Sequence, residues 1–245
     1  MSTDDLIWIC SFDIGKLNFC FCIEEVNRAA LQKIQNIPYN KRYNPDGTHT
    51  SAFAVIMKKV YMNSRTIIFK NTDLTVNCNR DEYLDPETYH NMYDCLDDHK
   101  EYLDRCSIFI IEEQMSFGKK HNTMALKLGQ HCYSYMCFKY GRFKQILYFP
   151  SYHKTQIFGA KKERGKPTKR GLIRYKAMGD KARKKWAEDK AIEILTQRDD
   201  MENLTNLQSQ RKNTKRGTKK GFDDLSDTIL MVNAFCYLAF VDKTI

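Results

Sequence analysis

The stretch Leu6-Ile7-Trp8-Ile9-Cys10-Ser11-Phe12 is apolar at almost every position and runs straight into Asp13-Ile14-Gly15. Unbroken apolarity predicts a strand buried on both faces, because a strand with one wet face would alternate. Phe19 to Glu25 reads as a second strand, and the short link between the two predicts a hairpin. A second buried run, Ser107-Ile108-Phe109-Ile110-Ile111, delivers Glu112-Glu113-Gln114, and Gln145 to Phe149 is a further apolar strand closed by Pro150.

Three–four apolar spacing predicts helices over 122–140 (Ala125, Leu128, Cys132, Met136) and 181–195 (Ala182, Trp186, Ala187, Ala191, Ile194). Phe222 to Phe240 is a last helix, apolar on most of its circumference. Strands come first and then alternate with helices, which predicts an α/β sheet covered by helices on both faces. Residues 38–50 are turn material, and 71–105 are acidic and polar with a short helix near 86–99. The chain, 1–245, reads as a single domain. Residues 38–105 read as an insertion, and 159–180 and 197–221 as flexible basic loops.

Composition narrows the class. Apolar residues at 42% and charged residues at 29% exclude a disordered, collagen-like or disulfide-framework chain. No stretch approaches the ~18 apolar residues of a membrane span. Met1-Ser2-Thr3-Asp4-Asp5 lacks the basic character of a secretory signal or mitochondrial presequence. The nine cysteines show no zinc spacing and read as reduced small hydrophobes of a cytoplasmic protein. Charge is uneven: residues 121–245 hold 26 of the 40 basic and 12 of the 30 acidic residues, a net of +14 in a chain of net +10. A positive half is the footprint of a polyanion partner.

Against that background, several acids sit where apolar elements end: Asp13, Glu112, and a group at the start of the last helix, Asp223, Asp224 and Asp227. Carboxylates aimed at an apolar core are unfavourable unless a cation pairs with them. Acids on three separate segments therefore fit a divalent cation, and Mg²⁺ takes oxygen ligands together with substrate phosphate. On spacing alone, Asp224 pairs with Asp227 at i,i+3 or Asp223 does so at i,i+4, and Glu113 competes with Glu112. Helix capping, dipole complementation, a turn after a strand and surface ion pairing are the plain alternatives.

These residues resemble the RuvC-type Holliday junction resolvases of the RNase H-like superfamily, including poxviral and other large DNA virus members and fungal mitochondrial ones. Asp13-Ile14-Gly15-Lys16-Leu17-Asn18 is similar to the family's Asp-x-Gly-x-x-Asn strand end, and Ile111-Glu112-Glu113-Gln114 to its Ile-Glu-x-Gln strand. Ala125-Leu126-Lys127-Leu128-Gly129-Gln130 looks like the following helix. Tyr148-Phe149-Pro150-Ser151-Tyr152-His153-Lys154 resembles the next strand and its lysine turn, and Asp223-Asp224-Leu225-Ser226-Asp227 the terminal Asp-x-x-Asp helix. The resemblance selects Glu112 over Glu113 and Asp224 with Asp227, which leaves Asp223 as a helix cap. It matches Lys154 to a lysine near the scissile phosphate.

The resemblance implies an RNase H-like fold with a central five-stranded mixed sheet flanked by helices. It implies a metal-dependent endodeoxyribonuclease with Asp13, Glu112, Asp224 and Asp227 holding two Mg²⁺ ions, for which Mn²⁺ could substitute, and Lys154 steadying the phosphate. The substrate would be a four-way DNA junction cut by paired symmetric nicks in a homodimer. Tyr133, Tyr135, Met136 and Phe138 are the candidate dimer face. Phosphate contacts are expected from Lys161, Lys162, Arg164, Lys166, Lys169, Arg170, Arg183, Lys184, Lys185, Arg211, Lys212, Lys215 and Arg216. The implied location is the cytoplasm, including a viral replication site there. Rival readings are an RNase H-like nuclease on hybrid or other branched substrates, and a non-catalytic junction binder. An actin-like ATPase also begins with Asp-x-Gly, but it needs further Gly-rich loops and this chain has no Gly-Gly pair.

Overall fold

Five strands form one mixed sheet: β1 (Leu6–Asp13), β2 (Phe19–Asn27), β3 (Ser64–Thr72), β4 (Cys106–Glu113) and β5 (Gln145–Pro150), in the order β3-β2-β1-β4-β5. This computed structural model describes residues 5–79, 82–114, 122–167, 173–212 and 222–245. β1 and β2 form the predicted hairpin, with Asp13 opposite Cys20, and β3 extends it antiparallel. β4 runs parallel to β1, and β5 parallel to β4. This order and sense make the central five-stranded mixed sheet flanked by helices that the motifs implied.

Period-two alternation sorts the strands' side chains onto two cores. Cys10, Phe12, Phe21, Phe109 and Ile111 face α3 (Pro86–Asp97) and α5 (Thr123–Tyr140), meeting Met92, Leu96, Leu128, Cys132 and Met136. Ile9, Cys22, Ile108 and Ile110 face the other way, toward α2 (Ser51–Met62), α7 (Asp180–Gln197), α8 (Met201–Lys212) and α9 (Phe222–Cys236). The remaining short helices are α1 (Arg28–Gln32), α4 (Lys100–Leu103) and α6 (Tyr152–Ile157).

Phe222–Asp242 is one continuous helical run, ending in a π-helical turn over Tyr237–Asp242. Contrary to the sequence reading, it is long and apolar enough to cross a membrane, but 83% of its most apolar window is buried inside the fold. It is apolar all round because β1, β2, α6, α7 and α8 pack around it. A buried network pins it: Arg198 Nη1 bonds Glu24 Oε1 at 2.7 Å, and Arg198 Nη2 bonds Asn233 Oδ1 at 2.9 Å. Nearer the site, Ser11 Oγ donates to the Thr228 carbonyl at 2.7 Å.

Three segment readings change. Residues 38–105 are no mere insertion, since they supply α2 and the edge strand β3. Polar Arg65, Lys70 and Asn71 obscure that strand in the sequence, because an edge position tolerates them. Within 197–221, Met201–Lys212 is a helix anchored by buried Leu204 and Leu207. Within 159–180, β6 (Glu163–Arg164) and β7 (Tyr175–Lys176) pair as a short hairpin. The loop before α2 braces α6, where His49 Nε2 lies 2.7 Å from the Ile157 carbonyl. Gly159, at φ +66, has no Cβ to strike that imidazole.

Candidate active site

Three adjacent parallel strands converge on one point. β1 ends in Asp13, β4 in Glu112-Glu113, and β5 leads at once into α6, which carries Lys154. The carboxyl ends of parallel strands are where open α/β sheets place their ligands. Alternation decides orientation. Asp13 shares the face of Ile9 and Ser11, Glu112 shares that of Ile108 and Ile110, and both faces look at α9. Glu112 is buried and Glu113 exposed, so the strand itself separates the two glutamates. α9 contributes Asp227 from its second turn.

Asp13, Glu112 and Asp227 each offer an oxygen within 4.8 Å of the others. All three are buried, and so is Lys154, at 1% exposure. Lys154 Nζ bridges two of them, 2.8 Å from Glu112 Oε1 and 2.7 Å from Asp227 Oδ2. From the solvent side Arg183 Nη1 approaches the same Asp227 oxygen at 3.9 Å. Gln114 Nε2 lies 3.4 Å from Glu112 Oε2.

The electrostatics follow from too many acids for one buried cation. Burial, and then the charge of Glu112, drive Asp13 well above the usual carboxylate range, with Lys154 pulling the other way. Burial raises Asp227 too, against the attraction of Lys154. For Glu112 burial is outweighed: Lys154 and a hydrogen bond with Asp13 hold it below its ordinary value. Burial also opposes the Lys154 charge, but Asp227, Glu112 and Asp13 together hold its proton firmly. Asp224 is pushed up to about 7 by burial and by neighbouring Asp223. A pocket that drives Asp13 and Asp227 above the ordinary carboxylate range is one a hard divalent cation would relieve. The donors are all carboxylate oxygens, the set that Mg²⁺ and Mn²⁺ accept. The residues therefore fit such an ion.

The other expected residues are distributed as follows. Asp224 is half-buried one turn before Asp227 and is not among the three clustered acids. Asp223 lies in the first turn of α9 and pairs with Lys184. Lys161, Lys162, Arg164 and Lys166 are exposed, and the first three line a cleft of about 620 Å³ with Tyr175 and Ala182. Lys185 pairs with Asp189. Lys169, Arg170, Lys215 and Arg216 lie outside the described residues, as do the side chains of Arg211 and Lys212 at the end of α8. Of the candidate dimer face, Met136 is buried core, Tyr133 stacks on Tyr148 and Tyr135 on Tyr93. Phe138 alone of the four is fully presented, at 92% exposure. Sequence reasoning grouped Arg183 with its basic neighbours. Only the packing of α7 on α9 singles it out.

No protein-family model matches the chain. It is 31% identical over 254 residues to protein 170L of Invertebrate iridescent virus 6, covering 98% of this chain and 93% of that protein. Protein 97L of Invertebrate iridescent virus 3 is 25% identical over 234 residues, covering 93% and 98% respectively. Among solved structures, the fowlpox virus resolvase in complex with substrate Holliday junction DNA is similar at 15% identity with a TM-score of 0.47, covering 95% of this chain and 99% of that one.

Proposed function

This chain belongs to the family of the iridescent-virus protein 170L, and from its site we propose that it is a structure-selective DNA endonuclease that resolves four-way junctions by paired symmetric nicks. One observation carries the reading: acids from three distant segments meet within 4.8 Å around a buried lysine, in a chain of net +10. An acidic centre in a basic protein suits a phosphodiester held by lysines and arginines and joined to the acids through metal.

In this reading Asp13, Glu112, Asp224 and Asp227 hold two divalent ions. When bound, such ions supply activation of a water and stabilisation of the leaving oxygen. Lys154 has three N–H donors, of which Glu112 and Asp227 take two. The third is available to a phosphate oxygen, where a fixed ammonium opposes the charge that develops in the transition state. Lys161, Lys162, Arg164 and Lys166 track the backbone of a DNA arm. A two-fold dimer supplies two sites for two symmetry-related strands. The work is done at a viral replication site in the host cytoplasm.

The test uses purified protein, Mg²⁺ or Mn²⁺, and a labelled mobile four-way junction beside a linear duplex and an RNA–DNA hybrid. Paired symmetric nicks on the junction, little cutting of the duplex, and binding without cutting by Asp13→Asn and Asp227→Asn are expected. Preferential cutting of the hybrid would replace the substrate, and a junction shifted but never nicked would replace the enzyme with a binder.

A further inference from the structure

Two cations reach Asp227 Oδ2, and they differ in kind. Lys154, its side chain 2% exposed, holds the oxygen from within at 2.7 Å. Arg183, 38% exposed, stands over it at 3.9 Å from the solvent side. The neighbours of Arg183 are committed: Lys184 to Asp223, Lys185 to Asp189. Among the described residues, the ion pair of the Arg183 side chain is that one loose contact, its backbone N–H being bonded to the Gly179 carbonyl. A guanidinium has five donors in a planar fork that matches phosphate oxygens two at a time. Here such a fork, partly exposed, stands beside the acidic cluster on a helix packed against the one that carries Asp227.

We propose that Arg183 is a catalytic residue with two states. In the DNA-free protein it screens Asp227. When a phosphodiester enters, its fork turns onto the non-bridging oxygens and frees that carboxylate for the cation. The inference deepens the nuclease reading and rests on it.

The experiment compares wild type, Arg183→Ala, Arg183→Lys and Asp227→Asn in two assays: Mn²⁺ binding to the DNA-free protein by calorimetry, and single-turnover cutting of the junction. Matched thermal melts establish that each variant is folded. Removing a like charge about 4 Å from a ligand oxygen should tighten Mn²⁺ binding of Arg183→Ala about three- to tenfold. Its cutting should slow about a hundredfold with saturating DNA, and Arg183→Lys should restore only part of that, since an ammonium cannot grip two oxygens. A merely structural arginine would weaken both properties together, so loosened Mn²⁺ binding by Arg183→Ala overturns the inference. Full-rate cutting by Arg183→Ala, with Asp227→Asn inactive, also overturns it and leaves the nuclease reading standing. A wild type that cuts no DNA overturns both.

Discussion

Replacing Lys154 by methionine tests the electrostatic account of the site most directly. The ammonium is the buried cation among the clustered acids, and methionine keeps most of its apolar stem volume. Removing one partner of a buried ion pair leaves an uncompensated charge and typically costs about 3–5 kcal/mol. For a chain of this size each kcal/mol moves Tm by about 2–4 °C, so Lys154→Met should melt about 6–20 °C lower in EDTA at pH 7.5. The reasoning then demands a rescue. A divalent cation in the same pocket supplies the missing charge, and a ligand at a hundred times its Kd stabilises by about 2.7 kcal/mol. Melting by differential scanning fluorimetry without Mn²⁺ and with Mn²⁺ at about a hundred times its Kd should show a larger upward shift for Lys154→Met than for wild type. Lowering the pH to about 5.5 should narrow the gap as well, because the stranded carboxylates can then take up protons. An unchanged Tm in EDTA, or a loss that neither Mn²⁺ nor protons reduce, would refute the idea that Lys154 neutralises this cluster.

Other outcomes follow from the same structure. In EDTA the raised carboxyls Asp13, Asp224 and Asp227 hold protons more tightly folded than unfolded. Stability should therefore fall as pH rises from the unfolded carboxyl value near 3.8 through about 7, and Asp224→Asn should flatten that slope between pH 5.5 and 7.5 in urea melts. Glu112, being lowered, acts in the opposite direction but only beneath its ordinary 4.5, outside that window. Arg198→Met should lose about 3–5 kcal/mol by stranding Glu24, and Glu24→Met with Arg198→Met should be more stable than Arg198→Met alone, as read by thermal denaturation. Junction affinity should fall steeply with salt, and alanine at Lys161, Lys162, Arg164 and Lys166 should reduce the log–log slope by at most about 0.9 for each charge removed, as read by fluorescence anisotropy.

Much of the fold is legible in the chain because buried parallel strands are apolar on both faces. Leu6 to Phe12 and Ser107 to Ile111 announce themselves for that reason, and each hands over an acid at its end. β3 escapes notice because an edge strand is packed on one side only and carries Arg65, Lys70 and Asn71. α8 escapes for a related reason: Leu204 and Leu207 are its two core anchors within a polar sequence, too few to set a period. The choice between Glu112 and Glu113 is invisible to spacing, since both adjoin the strand. Pleating makes the choice, burying the residue in phase with Ile108 and Ile110. Arg183 is the opposite case, a functional candidate hidden in a run of cations that spacing alone leaves indistinguishable.

The apolar helix α9 and the acids at its start are parts of one arrangement. A helix buried on every side has no wet face for Asp227, so the carboxylate must be satisfied by what the sheet and α6 present. Lys154 satisfies part of it, and burial together with the charge of Glu112 drives the neighbouring Asp13 carboxyl well above the usual carboxylate range. The network of Glu24, Arg198 and Asn233 pins the same helix further along and keeps Asp227 from sliding away from that unfavourable place. If the pinning serves the site, Asn233→Leu should disturb the cluster at a distance even where the fold survives. The expected signature is weaker Mn²⁺ binding in a protein whose melting point, measured in EDTA, has dropped by less than that of Arg198→Met. Unaltered Mn²⁺ binding in a folded Asn233→Leu protein would show that the acids are held by their local contacts with β1, β4 and α6 alone.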